Sequence, residues 1–73
     1  EVRFYPKPVK DQLNIELPTG VHEIEVFDLR GKLITSFRTN QTKFTYNMSE
    51  FGSGLYLFKV SNGESSKIYK VVK

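Results

Sequence analysis

The chain has 73 residues, eleven of them basic and eight acidic, which gives a formal net charge of +3, and it contains no cysteine. A chain of this length forms one small domain at most, and no disulfide bond can stabilise it. The charge excess is mild and accompanies no recognisable nucleic-acid-binding module, and no apolar run approaches the roughly 18 residues of a membrane helix. We therefore expect neither nucleic-acid binding nor membrane insertion.

Short runs of alternating apolar and polar residues predict β-strands in the first half of the chain. The predicted strands cover residues 2–5, 12–17, 21–27 and 32–38. Pro6 and Pro8 end the first strand, because proline cannot donate a hydrogen bond to a sheet. Leu13, Ile15 and Leu17 alternate with polar residues, so they are expected to share one buried face.

The second half of the chain continues the same pattern. Its predicted strands cover residues 43–47, 55–61 and 65–73. The strand at 55–61 is apolar on both faces, as expected of a central strand. The dipeptide Asn62-Gly63 favours a tight type I′ hairpin into the last strand. Gly31 and Gly54 each precede an apolar strand, where a positive φ or close packing would require glycine.

Seven strands separated by turns, without a convincing helix, are typical of a small Ig-like β-sandwich. The fold class is therefore predicted as all-β, with about seven antiparallel strands in a single domain over residues 1–73. The ten aromatic residues must supply much of its core. Because the chain begins with Glu1 rather than Met, we expect a fragment from the C-terminal end of a longer protein.

No arrangement of residues indicates catalysis, a metal or a cofactor. The single histidine, His22, is predicted to be a surface residue, and Glu23 and Glu25 fit a solvated strand face. The turn after Asp28 lacks the oxygen-ligand spacing of a calcium loop. No nucleophile elbow accompanies the serines. We expect a non-enzymatic protein without a cofactor.

The net charge lies entirely in the last part of the chain. Residues 1–58 carry seven basic and seven acidic side chains, whereas residues 59–73 carry four lysines and Glu64. Lysines on an edge strand can prevent pairing with other chains, or they can form a face that a partner recognises. From charge alone, edge protection is the favoured interpretation.

The four tyrosines also allow two interpretations. Tyr5, Tyr46, Tyr56 and Tyr69 could line a sugar-binding platform. Their alternation with polar residues fits packing at the edge of a core better.

Three blocks of the sequence, in order, resemble one known family. They are residues 4–15, with Pro6 and Pro8; residues 26–34, with Asp28 and Gly31; and residues 49–56, with Gly54 and Tyr56, followed by the lysine-rich last strand. Together they resemble the type A C-terminal sorting domain of the type IX (Por) secretion system of Bacteroidetes-type bacteria. Lys7 stands where that family usually has Asn.

The resemblance implies a β-sandwich and a non-enzymatic secretion signal. It also implies structural roles for the motif residues, which are Pro6, Pro8, Asp28, Gly31, Gly54, Tyr56, Asn62 and Gly63. The implied partners are the outer-membrane translocon with its shuttle and sortase components, and an N-terminal cargo domain. The residues expected to contact the translocon are Lys67, Ile68, Tyr69, Lys70, Val71, Val72 and Lys73.

The resemblance also implies a route for the cargo. The cargo crosses the inner membrane with its own signal peptide, is periplasmic in transit, and reaches the cell surface or the medium after a surface sortase removes the domain near or upstream of residue 1. Two alternatives remain from the sequence. One is a small adhesive or carbohydrate-binding sandwich, and the other is a structural Ig-like spacer.

Overall fold

The computed structural model describes all 73 residues and contains seven strands and no helix, hence none long and apolar enough to cross a membrane. The strands are β1 Arg3–Tyr5, β2 Gln12–Glu16, β3 His22–Phe27, β4 Leu33–Thr39, β5 Lys43–Asn47, β6 Leu55–Ser61 and β7 Ser66–Val72. Each predicted strand is confirmed, and no boundary differs from the predicted one by more than one residue.

The strands form two antiparallel sheets, one of three strands in the order β1-β2-β5 and one of four in the order β4-β3-β6-β7. β6 lies between β3 and β7, so the prediction that it is a central strand is confirmed. In constant-type Ig domains the fourth strand belongs to the sheet of the first two. Here β4 instead pairs with β3, from His22↔Thr39 to Val26↔Thr35.

The core lies between the two sheets, where the inward faces of the strands meet. Leu13 and Ile15 of β2 and Ile24 and Val26 of β3 are fully buried, as their alternation predicts. Phe58 of β6 is also fully buried, and its ring lies 5.5 Å from that of Phe4 and 6.0 Å from that of Tyr46, measured between centroids. These ring contacts join β6 of the larger sheet to β1 and β5 of the smaller one, so the domain is an all-β sandwich.

The prediction that His22 is a surface residue was wrong. His22 is only 6% exposed, because it is the first residue of β3 and shares the inward phase of Ile24 and Val26. Its Nδ1 atom is buried without a hydrogen-bond partner. The alternation of β3, which buries every second residue, places His22 inward although it is polar and stands at the strand end.

The predicted type I′ hairpin at Asn62-Gly63 was also wrong. Ser61 pairs with Ser66, so the connection is the loop 62–65, and among its residues only Gly63 has a positive φ, of +93°. A type I′ turn needs positive φ at two successive residues. The Asn62 side chain organises the longer loop instead, since its Oδ1 accepts hydrogen bonds from the N–H groups of Glu64 and Ser65, at 3.1 and 3.0 Å.

Candidate recognition strand

β7 forms one edge of the four-stranded sheet and carries two of the four lysines of the basic final segment, Lys67 and Lys70. Along one side it pairs with β6, from Leu55↔Val72 to Ser61↔Ser66. On its other side a single backbone hydrogen bond reaches it, from Val9 N–H to Val72 O at 2.8 Å. β7 is therefore an edge strand that is covered only near its end.

Hydrogen-bond alternation identifies the open backbone groups of this edge. Lys73 and Gly54 exchange two backbone bonds, Lys73 N–H to Gly54 O at 2.8 Å and Gly54 N–H to Lys73 O at 3.1 Å. In an antiparallel pair the bonded residues alternate with unbonded ones. Residues 67, 69 and 71 therefore bond to β6, whereas Ser66, Ile68 and Lys70 direct their N–H and C=O groups outward, away from the sheet.

The side chains of β7 divide into two groups. Tyr69 and Val71 point into the sandwich; Val71 is fully buried, and the Tyr69 ring packs 5.2 Å from that of Phe4. Ile68 and Val72 point the other way and are 58% and 47% exposed. Lys67 and Lys70 are exposed as well. Four of the seven predicted recognition residues are thus accessible through their side chains: Lys67, Ile68, Lys70 and Val72.

Lys73 has an internal role that the sequence did not indicate. Its Nζ atom donates to the backbone carbonyls of Met48 and Phe51, both at 2.6 Å. With its two backbone bonds to Gly54, Lys73 holds the irregular segment between β5 and β6. The contact joins residues more than twenty positions apart, and no spacing in the sequence signals it.

Tyr56 and Gly54 shape the same segment. The Tyr56 hydroxyl donates to Gly52 O at 2.7 Å, four residues upstream, in the manner of the tyrosine corner of Ig-like sandwiches. The Tyr56 ring meets that of Phe51 edge-on, with 5.1 Å between centroids. Gly54 has a φ of +152° and open space where a Cβ would lie, so its role concerns backbone conformation rather than packing.

Asp28 and Gly31 form the turn between β3 and β4. Asp28 Oδ1 accepts hydrogen bonds from the N–H groups of Arg30 and Lys32, at 2.9 and 3.0 Å. The Lys32 N–H first, and Arg30 next, hold the pKa of Asp28 below its usual value. Gly31 has a φ of +86°, which favours glycine. The Asp28 carboxylate thus holds the backbone of this turn in one conformation.

The segment with Pro6 and Pro8 joins β1 to β2 within the smaller sheet and passes beside the edge of β7. Both prolines and Lys7 are exposed, whereas Val9 is 3% exposed and bonds to Val72. Val9, which follows these motif residues, therefore makes the one backbone contact on the outer side of β7.

None of the ten aromatic side chains is exposed, and no group of three or more His, Asp or Glu residues could hold a metal ion. Tyr46 stacks on Phe37 with 5.2 Å between centroids, and burial raises its pKa. The Tyr5 hydroxyl donates to Glu16 Oε2 at 2.7 Å, which raises the pKa of Tyr5 and lowers that of Glu16. The tyrosines pack at the edges of the core, and they do not form an exposed row.

Comparison with known proteins agrees with this arrangement. No curated protein is a significant match to the chain. The family model described as "Secretion system C-terminal sorting domain" matches residues 3–73, nearly the whole chain. Most motif residues of the three sequence blocks lie in the turns and connecting segments described above, and Tyr56 lies at the start of the central strand β6. The chain belongs to the family of C-terminal sorting domains that act as signals for type IX secretion.

Proposed function

We propose that the outer-membrane translocon of the type IX system recognises this sorting domain by adding a strand to the open edge of β7. The observation that carries the proposal is the row of outward N–H and C=O groups at Ser66, Ile68 and Lys70, to which no other segment bonds. An extended segment that pairs with such an edge gains main-chain hydrogen bonds, and alternate side chains supply selectivity.

The charges of β7 support an acidic partner. Lys67 and Lys70 are exposed, and neither forms a salt bridge within the chain. Exposed charges of this kind mainly set the encounter rate and the orientation of a partner. Tyr69, Val71 and Lys73 then have a supporting role, because they fix the strand to the sandwich.

Family membership supports the remaining steps of the proposed route. A cargo domain precedes this one, crosses the inner membrane with its own signal peptide, and is periplasmic in transit. Shuttle and sortase components act with the translocon, and the sortase removes the domain near or upstream of residue 1. The cargo is then released or joined to a lipopolysaccharide anchor at the surface.

A reporter fusion tests recognition of the β7 edge. The 73 residues are fused to the C-terminus of a periplasm-targeted reporter in a host with the type IX machinery, and surface display is measured. Ile68→Pro removes one outward N–H, and proline is tolerated on an edge when its N–H position faces solvent. We expect Ile68→Pro to stop display while the purified domain still melts cooperatively.

The matched control is Ile68→Thr, which keeps the N–H group and a β-branched side chain. It should be displayed at close to the level of the unchanged domain. If Ile68→Pro folds and is displayed as well as Ile68→Thr, strand addition at this edge is excluded.

Two further variants separate charge from access. Changing Lys67 and Lys70 together to Gln should weaken display mildly, since exposed charges tune association more than they determine it. A polar tail added after Lys73 should stop display in a domain that still melts cooperatively. Normal display with the tail attached would show that access to this end of the domain is not required.

The carbohydrate-binding alternative predicts a row of exposed aromatic side chains. Since none of the aromatic side chains is exposed, no observation favours that function.

A further inference from the structure

The outer face of the four-stranded sheet, which points away from the core, has an ordered pattern of side chains. In its two central strands, β3 and β6, Phe27 lies opposite Leu57, and Glu25 lies opposite Lys59. Residues directly opposite each other in an antiparallel pair project from the same face. One end of this face is therefore apolar, and the next row carries one negative and one positive charge.

The apolar end reaches residues of all four strands, with Lys70 of β7 at its margin, opposite Leu57. Leu33 of β4 lies opposite Phe27, and Val72 of β7 lies opposite Leu55 of β6. Leu33 and Val72 are each 47% exposed, and Phe27, Leu55 and Leu57 are half-buried. The outer face thus presents a continuous apolar strip that no part of this chain covers.

The charged row beside the strip is also organised. Glu25 Oε1 and Lys59 Nζ are 4.0 Å apart, and their side chains are 35% and 39% exposed. Each charge can still approach an opposite charge on another molecule.

We propose that the outer face is a self-complementary interface through which two copies of this chain associate, a property independent of the secretion role. A two-fold axis that runs along the strands, midway between β3 and β6, places β3 of one copy over β6 of the other. Phe27 then meets Leu57 of the second copy, and Glu25 meets Lys59 of the second copy. Symmetric pairs require such a self-complementary surface.

Charge arrangement identifies a second copy as the occupant. In the pair, Glu25 and Lys59 of one copy face Lys59 and Glu25 of the other copy. Each charge therefore has an opposite charge beside it on its own sheet and another opposite charge facing it on the second sheet. A partner with only acidic residues around an apolar patch would place like charges over Glu25. The second copy satisfies both charges at once.

The size of the face sets the expected strength. Four strands spaced about 4.8 Å apart and some 20 Å long give on the order of 400 Å² per copy. A total near 800 Å² lies below the roughly 1,200–2,000 Å² of stable complexes, so we expect weak, reversible association. The dimer should form in the range of hundreds of micromolar and dissociate at a few micromolar.

Charge-reversal variants test the proposal. Their association is measured by sedimentation equilibrium from about 10 μM to about 1 mM, the range set by the expected affinity. Lys59→Glu would place four negative charges in the paired row, and Glu25→Lys four positive charges. We expect each variant alone to stay monomeric up to the highest concentration. An equal mixture of the two should associate at least as well as the unchanged chain, because every facing pair is then opposite in sign.

Three outcomes would overturn the proposal. They are sedimentation of the unchanged chain as a single copy throughout the range, association of either variant alone like that of the unchanged chain, and a mixture that stays monomeric. Melting curves of both variants check the fold, which should survive because an exposed ion pair contributes little to stability.

Discussion

At the residue scale, two charged side chains of this domain hold irregular backbone, and one of them, Asp28, also forms an exposed salt bridge of 3.3 Å with Arg30. Asp28 accepts two backbone N–H groups in the turn between β3 and β4. Lys73 donates to two backbone carbonyls of the segment before β6. Hydrogen bonds that involve a charged group are stronger than neutral ones, so both residues fix irregular backbone where no sheet ladder is present.

Replacing Lys73 with Met should destabilise the domain by about 1–3 kcal/mol, because the carbonyls of Met48 and Phe51 lose a charged donor. Methionine preserves most of the length of the side chain. Urea denaturation measures the effect. Lys70→Met is the control, and it should change the free energy of unfolding by no more than about 0.5 kcal/mol, since Lys70 is exposed. Equal effects of the two substitutions would contradict the role given to Lys73.

The lowered pKa of Asp28 predicts a dependence of stability on pH. A carboxyl group whose pKa is lower in the folded state stabilises the fold above its unfolded pKa of about 4. That contribution is lost as the pH falls through the folded pKa. Asp28→Asn, which keeps an acceptor oxygen but no charge, should be less stable than the unchanged chain at pH 7, and the difference should shrink in acid.

Urea unfolding midpoints across the acid range measure this difference. The exposed Asp11, changed to Asn, provides the control. A difference between Asp28→Asn and the unchanged chain that is the same at neutral and acid pH would show that the charge of Asp28 does not stabilise the turn.

At the scale of elements, β6 is the strand on which both the core and the larger sheet depend. It pairs with β3 on one side and β7 on the other, and Phe58 fills the space between the sheets. A domain of 73 residues is expected to have a free energy of unfolding on the order of 4–11 kcal/mol. One large buried ring is therefore a substantial part of the total.

Phe58→Ala should cost about 3–5 kcal/mol and leave much of the population unfolded. The reason is the loss of buried apolar area together with the cavity that remains beside Phe4 and Tyr46. Thermal melting followed by circular dichroism measures it. Ile68→Ala is the matched control on the neighbouring strand, where the side chain is 58% exposed. A melting temperature within a few degrees of the parent for Phe58→Ala would refute the inward position of this ring.

The strands could be predicted from the sequence because each has a repeating inward face. Leu13 and Ile15, or Ile24 and Val26, alternate with polar residues over a full strand, and burial enforces that register. The partner of β4 could not be predicted, since alternation defines a face but not a neighbour. The predictions for His22 and for the Asn62 loop were wrong for a related reason, because the phase of β3 and the register of β7 override local residue preference.

The candidate site was only partly predictable. The lysines of residues 59–73 drew attention to the last strand, and the family resemblance predicted that the translocon contacts it. Which residues of β7 are accessible depends on the phase of the strand and on the bond between Val9 and Val72, neither of which composition records. The anchoring of Lys73 depends on the three-dimensional approach of a distant loop.

At the scale of the whole molecule, stability requires both sheets together. An isolated two-stranded hairpin is marginally stable at best in water. A peptide of residues 55–73, which contains β6 and β7 alone, should therefore be largely unstructured. The 73-residue chain should show dispersed amide signals by NMR, and the peptide should not. Dispersed signals from the peptide would mean that the last hairpin folds without β3 and without the smaller sheet.

The contact between the beginning of the chain and β7 has a mechanical consequence. β1 and β7 belong to different sheets and meet through the rings of Phe4 and Tyr69, while Val9 N–H bonds to Val72 O. Traction between residue 1 and a held β7 would first strain these few contacts, the contact of Phe4 with Phe58 and the short pairing of β1 with β2. The long ladder between β3 and β6 would bear load only after those contacts had broken. The sandwich should therefore resist pulling least along the line that joins its first residues to its last strand.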